Sequence, residues 1–185
     1  MIEEILQDAD ERMGKSIEAL HTSLAKIRTG RANPSLLDGI LVSYYGNDTP
    51  LKQVASITVE DARTLAVTPW EKNLLPDIEK AILKSDLGIT PAASGDVVRV
   101  PLPALTEENR RDLARHAKQE MEAARVAVRN IRRDGIAHVR DLVKEKEAAE
   151  DEARRAEERI QKLTDKRIAE IEAVLAAKES ELMEI

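Results

Sequence analysis

The sequence predicts an α+β protein: an antiparallel three-helix bundle with a small β/α/β sandwich domain inserted on two hinge linkers. Three observations carry this. Apolar residues recur at spacings of three and four over residues 2–28 and again from about 106 onwards, the mark of amphipathic helices that bury one face. Between these stretches the prolines, both tyrosines and the only tryptophan are gathered, with short alternating runs in place of helical ones. The helical texture then returns, so both ends of the chain must build one unit around an insertion.

The first helix is read over residues 2–28, with Ile2, Leu6, Ala9, Met13, Ile17, Leu20, Leu24 and Ile27 on one face. Gly30 suits its cap and Pro34 blocks its continuation. Residues 40–45 are strand-like, residues 46–50 form a turn, and residues 54–59 and 64–68 give two further strands. Leu75 to Leu87 reads as a short helix capped by Gly88, and residues 96–100 as a last strand before Pro101-Leu102-Pro103. That makes four strands and one helix in the insertion. From Thr106, an imperfect helix start, Leu113, Ala117, Met121, Ala124, Val128, Ile131, Val139 and Leu142 hold one face. Lys144 to Asp151 is the reversal, and Ala153, Ala156, Ile160, Leu163, Ile171, Val174, Leu175 and Leu182 mark a third long helix. The expected division is therefore 1–29 with 106–185 for the bundle and 30–105 for the inserted domain. Two parallel connectors, near Thr29–Arg31 and Leu102–Leu105, form a natural hinge.

Composition narrows the function. The chain is 35% charged, with a formal net charge of -6, and has no cysteine, so disulfides, thiolate metal sites and thiol catalysis are excluded. The start is acidic and amphipathic, which predicts no signal peptide, and no run is long enough to span a membrane. A soluble, cytoplasmic protein is expected. Three aromatic residues, none of them Phe, are too few for a base-stacking platform, so any RNA contact should go to the backbone. There is no phosphate-binding loop and no metal-ligand motif, and His21, His116 and His138 lie scattered in helices. Neither a cofactor nor enzymatic activity is expected. One catalytic alternative would pair Tyr44 or Tyr45 with Asp48 as acid and base, although packing and turn-edge roles suit those tyrosines better.

The most informative stretch is Ala124-Arg125-Val126-Ala127-Val128-Arg129-Asn130-Ile131-Arg132-Arg133. Ala124, Val128 and Ile131 share a helix face, and at about 100° per residue Arg125, Arg129 and Arg132 line one edge of it. No acid interrupts the run. A row of guanidinium groups suits a row of phosphates, because each planar fork can engage an oxygen pair. The competing reading pairs these arginines with acids on neighbouring helices.

Several longer motifs resemble one known family. Lys26-Ile27-Arg28-Thr29-Gly30-Arg31-Ala32-Asn33-Pro34-Ser35-Leu36-Leu37-Asp38 is similar to the first hinge segment of the bacterial ribosome recycling factors. Val98-Arg99-Val100-Pro101-Leu102-Pro103, followed by Leu105-Thr106-Glu107-Glu108, resembles their second. Ala124 to Asp134 resembles their ribosomal-RNA-binding helix, and the likeness extends over the whole chain. Members of that family enter the ribosome after peptide release and, with elongation factor G and GTP hydrolysis, separate the subunits and free messenger and deacylated tRNA. The resemblance implies that Arg132, Arg129 and Arg133 contact large-subunit ribosomal RNA, with Arg28 and Arg31 contributing at the first hinge. Arg125 joins them by helix phase alone. It implies a hinge at Thr29, Gly30 and Arg31 on one connector and at Pro101, Leu102, Pro103, Ala104 and Leu105 on the other. The expected partners are the ribosome and elongation factor G, with no membrane, and the chain is expected to be a monomer. The alternative is a coiled-coil adaptor, whose stripes would pair with a second chain.

Overall fold

The computed structural model describes residues 1–184. In chain order the elements are α1 (Ile2–Ala25), β1 (Leu41–Tyr44), β2 (Asn47–Pro50), α2 (Leu51–Val54), β3 (Ala55–Asp61), β4 (Thr64–Pro69), α3 (Leu75–Lys84), β5 (Ala92–Ser94), β6 (Val97–Pro101), α4 (Glu107–Lys144) and α5 (Glu150–Met183). The chain divides into two compact units: Met1–Ile27 with Arg111–Met183, and Arg28–Arg110 with Glu184.

In the first unit three long helices bury their apolar stripes on one another. Glu3 pairs with Arg159 and Asp10 with Arg167, so α1 and α5 run parallel. Arg12 pairs with Asp134, Arg140 with Glu157 and Arg125 with Glu172, so α4 runs against both. Met13, Ile17, Leu20, Val128, Ile131 and Ile171 form the main core, and Leu6, Val139, Ala153, Ala156 and Ile160 extend it. Each leucine, isoleucine, valine or methionine among them, if fully buried, contributes about 1.5–3 kcal/mol relative to exposure. Among the described residues Thr164 is the one buried polar side chain, and its hydroxyl donates to the Ile160 carbonyl at 2.8 Å. Gly135 sits in an unbroken α4, buried against α5.

Helix α1 stops at Ala25, short of the expected residue 28. Its end tightens into a turn in which the Ile27 amide donates to the Leu24 carbonyl at 3.1 Å, which lets Ile27 stay in the bundle core while the chain leaves. Helix α4 begins as its sequence suggests. The Thr106 hydroxyl accepts from the Asn109 amide at 3.1 Å, one of the donors that a helix start leaves unpaired.

The second unit holds a four-stranded antiparallel sheet in the order β3-β4-β6-β5 and a separate hairpin, β1-β2. Leu65 pairs with Val100 and Val67 with Val98 across β4 and β6. All four are fully buried beneath Ile78 and Ile82 of α3, so the core is built from cross-strand aliphatic pairs. Two strands were not expected. Residues 46–50 are mostly β2 and not a turn, because Tyr45 (φ 49) and Gly46 (φ 82) alone reverse the chain. Ala92–Ser94 is an exposed edge strand with no apolar alternation to betray it. Helix α3 ends at Lys84 instead of Leu87, where the Ser85 hydroxyl and amide both turn back to the Ile82 carbonyl.

Candidate nucleic-acid interface

Because Ala124, Val128 and Ile131 are buried, the arginines beside them are fixed along the rim of α4. Their environments differ. Arg125 is already paired: Nη1 donates to Glu122 at 2.9 Å, Nη2 to Glu172 of α5 at 3.1 Å, and the side chain is only 21% exposed. The acid-paired alternative describes this residue. Arg129 and Arg133 are exposed and make no ion pair among the described residues. Arg132 is half-buried, and its Nη1 donates to the Gln161 side-chain oxygen at 3.3 Å. That contact orients the guanidinium without neutralising it. Gln161 is itself held by donating to Asp165 at 2.9 Å.

The acid that follows the run is also accounted for. Asp134 accepts from Arg12 of α1 at 3.1 Å, so its charge is offset by another helix and not by the arginines next to it. Among the described residues, Arg129, Arg132 and Arg133 thus form a cluster of positive charge without a carboxylate of its own. Such a cluster can engage phosphate oxygens by charge and by forked hydrogen bonds.

Arg28 and Arg31 lie in the second unit. Arg28 Nη2 donates to the Pro103 carbonyl, which ties one connector to the other. Burial pushes its guanidinium below the ordinary arginine value. Arg31 is exposed and its Nε pairs with Glu184 at 2.9 Å. The residues read as a hinge differ in how firmly they are held. Pro101 closes β6 opposite Thr64, and Leu102 is buried in the small core, with its amide donating to the Arg63 carbonyl at 2.7 Å. Ala32, just past Arg31, donates to Ala62 at 2.7 Å. Thr29, Gly30 and Arg31, with Pro103, Ala104 and Leu105, lie outside every helix and strand.

The tyrosines do not meet Asp48. Both hydroxyls face Glu71, at 3.5 Å from Tyr44 and 3.3 Å from Tyr45, while Asp48 stands opposite Ser43 in the hairpin. Sequence spacing pointed to the wrong carboxylate because the true one arrives from the end of β4, more than twenty residues on. Gln161 was missed for the same reason, since only the packing of α5 on α4 brings it to Arg132.

Comparison with known proteins bears on the whole chain. Residues 20–183 match the family model described as ribosome recycling factor. The ribosome-recycling factor of Marinomonas sp. (strain MWYL1) is 59% identical over 185 residues, covering 100% of both chains. That of Legionella pneumophila (strain Corby) is 60% identical over the same length and coverage. A solution structure of a ribosome recycling factor superposes with a TM-score of 0.78 at 42% identity, covering 100% of this chain and 98% of the other. A ribosome recycling factor of T. thermophilus, described with E. coli elongation factor G on the E. coli post-termination complex, gives 0.68 at 46% identity, with both chains covered in full. The chain belongs to the ribosome recycling factor family.

Proposed function

We propose that this chain recycles ribosomes: with elongation factor G and GTP it separates the subunits of the post-termination ribosome, releasing messenger and deacylated tRNA. GTP hydrolysis belongs to the translocase, and this chain works in the cytoplasm as a monomer, by binding and not by catalysis. The observation that carries the reading is the arginine cluster of α4, without carboxylate partners among the described residues, in a family member whose likeness to recycling factors runs its full length. Arg129, Arg132 and Arg133 hold the phosphate backbone of large-subunit ribosomal RNA. Arg31 adds an exposed guanidinium at the first connector once it exchanges Glu184 for phosphate, and Arg28 contributes there while holding the Pro103 carbonyl. Arg125 contributes least, since it must first release Glu122 or Glu172. The bonds around Thr29–Arg31 and Pro103–Leu105 are the pivot through which the translocase acts, with the division near residues 29 and 106.

Sucrose-gradient splitting of post-termination ribosomes, with matched elongation factor G and GTP, tests this. The intact protein should yield free subunits. Arg129→Ala/Arg132→Ala, still helical by circular dichroism, should not. Equal splitting by both would remove the arginine assignment, and no splitting by either would remove the recycling reading. An adaptor that paired its helices with another chain is the second reading. Its apolar stripes are already covered within this chain, and a stable dimer by analytical ultracentrifugation would be needed to revive it.

A further inference from the structure

In a chain with only three aromatic residues, two reach one carboxylate and the third precedes it. The hydroxyls of Tyr44 and Tyr45 donate to the two oxygens of Glu71, at 3.5 and 3.3 Å. Their rings meet edge to face with centroids 4.6 Å apart. Trp70 is the residue before Glu71, and it is 66% exposed, as Tyr45 is 71% exposed. An aromatic-poor protein has left Tyr45 and Trp70 at its surface, while Tyr44 packs partly buried against the aliphatic core. Exposed tyrosine and tryptophan are the side chains that most often anchor protein partners.

Burial does not account for Tyr45. It occupies the first central position of a two-residue turn, with φ 49, before Gly46 at φ 82. Such a turn favours Asn, Asp or Gly, and a bulky side chain there is held against the preference of its own backbone. Strain kept at an exposed position points to a gain made elsewhere. The carboxylate is open as well. Among the described residues Glu71 has no cationic partner, because neighbouring Lys72 is paired with Asp96 at 3.3 Å. Burial, and then the negative charge of Glu71, raises the Tyr44 hydroxyl above its ordinary value.

Each oxygen of Glu71 accepts one tyrosine hydroxyl and keeps a lone pair free. A guanidinium fork matches two such oxygens, and its flat face is attracted to an aromatic ring. An ammonium group would answer the charge but not the fork. A nucleotide would find rings to stack on, but its phosphate would meet the carboxylate. We propose that Tyr44, Tyr45 and Glu71 form a docking site for an arginine side chain presented by a partner protein. The site lies wholly within the second unit and stands apart from the ribosomal RNA reading.

The test is a proton–nitrogen chemical-shift titration of the full chain at constant ionic strength. The probes are N-acetyl-arginine amide, N-acetyl-lysine amide and uridine 5′-monophosphate, read at the Tyr44, Tyr45 and Glu71 amides. The arginine amide should give saturable shifts confined to these signals in the millimolar range, several-fold tighter than the lysine amide, with no response to the nucleotide. Glu71→Gln should abolish the saturation. Tyr45→Asn should also abolish it while raising the melting midpoint of the second unit, an effect that a purely structural Tyr45 would not produce. Equal responses to the arginine and lysine amides, a dominant response to the nucleotide, no saturable response, or a response that survives Glu71→Gln would each overturn the proposal.

Discussion

Gly135 carries no side chain because α5 leaves almost no room for one. A Cβ built there would lie 3.3 Å from Ile160 Cδ1, and Ile160 is fully buried. Helix propensity alone predicts that Gly135→Ala stabilises by about 1 kcal/mol, and the contact with Ile160 should erase most of that. In an Ile160→Val background, which removes the offending methyl, the same substitution should recover the gain, and denaturant unfolding of the four-variant cycle measures the coupling. Nothing in the sequence around Gly135 explains it, because the methyl that does lies on another helix. The arginines divide in the same way. Their shared edge followed from helix phase, but only packing distinguishes paired Arg125 from unpaired Arg129. For Arg129→Ala the slope of log ribosome affinity against log salt should fall by about one, whereas Arg125→Ala should change it less. The Arg159 guanidinium, by hydrogen bonding, holds the Glu3 carboxyl below its ordinary value. A carboxyl lowered on folding stabilises above its unfolded pKa, and that contribution is lost as pH falls through the folded value. Arg159→Ala should return Glu3 to the ordinary carboxylate range in a carbon-13 pH titration.

Helix α4 ends in a cap made without glycine. The Glu147 amide donates to Leu142 at 2.8 Å and the Lys146 amide to Val143 at 3.1 Å, with Lys146 at φ 60. These paired bonds terminate a helix through a left-handed residue, where glycine is preferred. Lys146→Gly should therefore stabilise the bundle by about 0.5–1 kcal/mol, read as a higher midpoint in thermal or urea unfolding. The reversal at Lys144 to Asp151 was visible in the sequence as a loss of apolar spacing, but its geometry was not, since no glycine or proline marks it. The long helices were easy to read because their stripes repeat over many turns. The small strands were harder. Asn47–Pro50 has the composition of a turn, and Ala92–Ser94 is too short and too exposed to alternate. Hydrogen bonding to neighbours, not local pattern, makes both of them strands.

At the scale of the molecule, two cores share no residue: one built from Leu65, Val67, Ile78, Val98 and Val100, and one from the three helices. Val98→Ala deletes two methyl groups from a fully buried site and should destabilise the second unit by about 1–3 kcal/mol. The helical signal at 222 nm, which the bundle dominates, should keep its own midpoint while Trp70 fluorescence reports the earlier transition. That two units exist was legible from the change of texture near residues 30 and 105. Which bonds belong to the connectors was not, since Leu102 is apolar and flanked by prolines yet lies in the small core. The order of the chain has a consequence for biosynthesis. Helix α1 is translated first, but its partners α4 and α5 are translated last, while residues 28–110 form a unit contiguous in sequence. Domains fold as their residues emerge, so the inserted unit can fold while the bundle is still unmade. Until α5 is released, Met13, Ile17 and Leu20 have no complete surface to bury against. During that interval the nascent α1 exposes an apolar stripe, making it a segment that chaperones acting on nascent chains should protect.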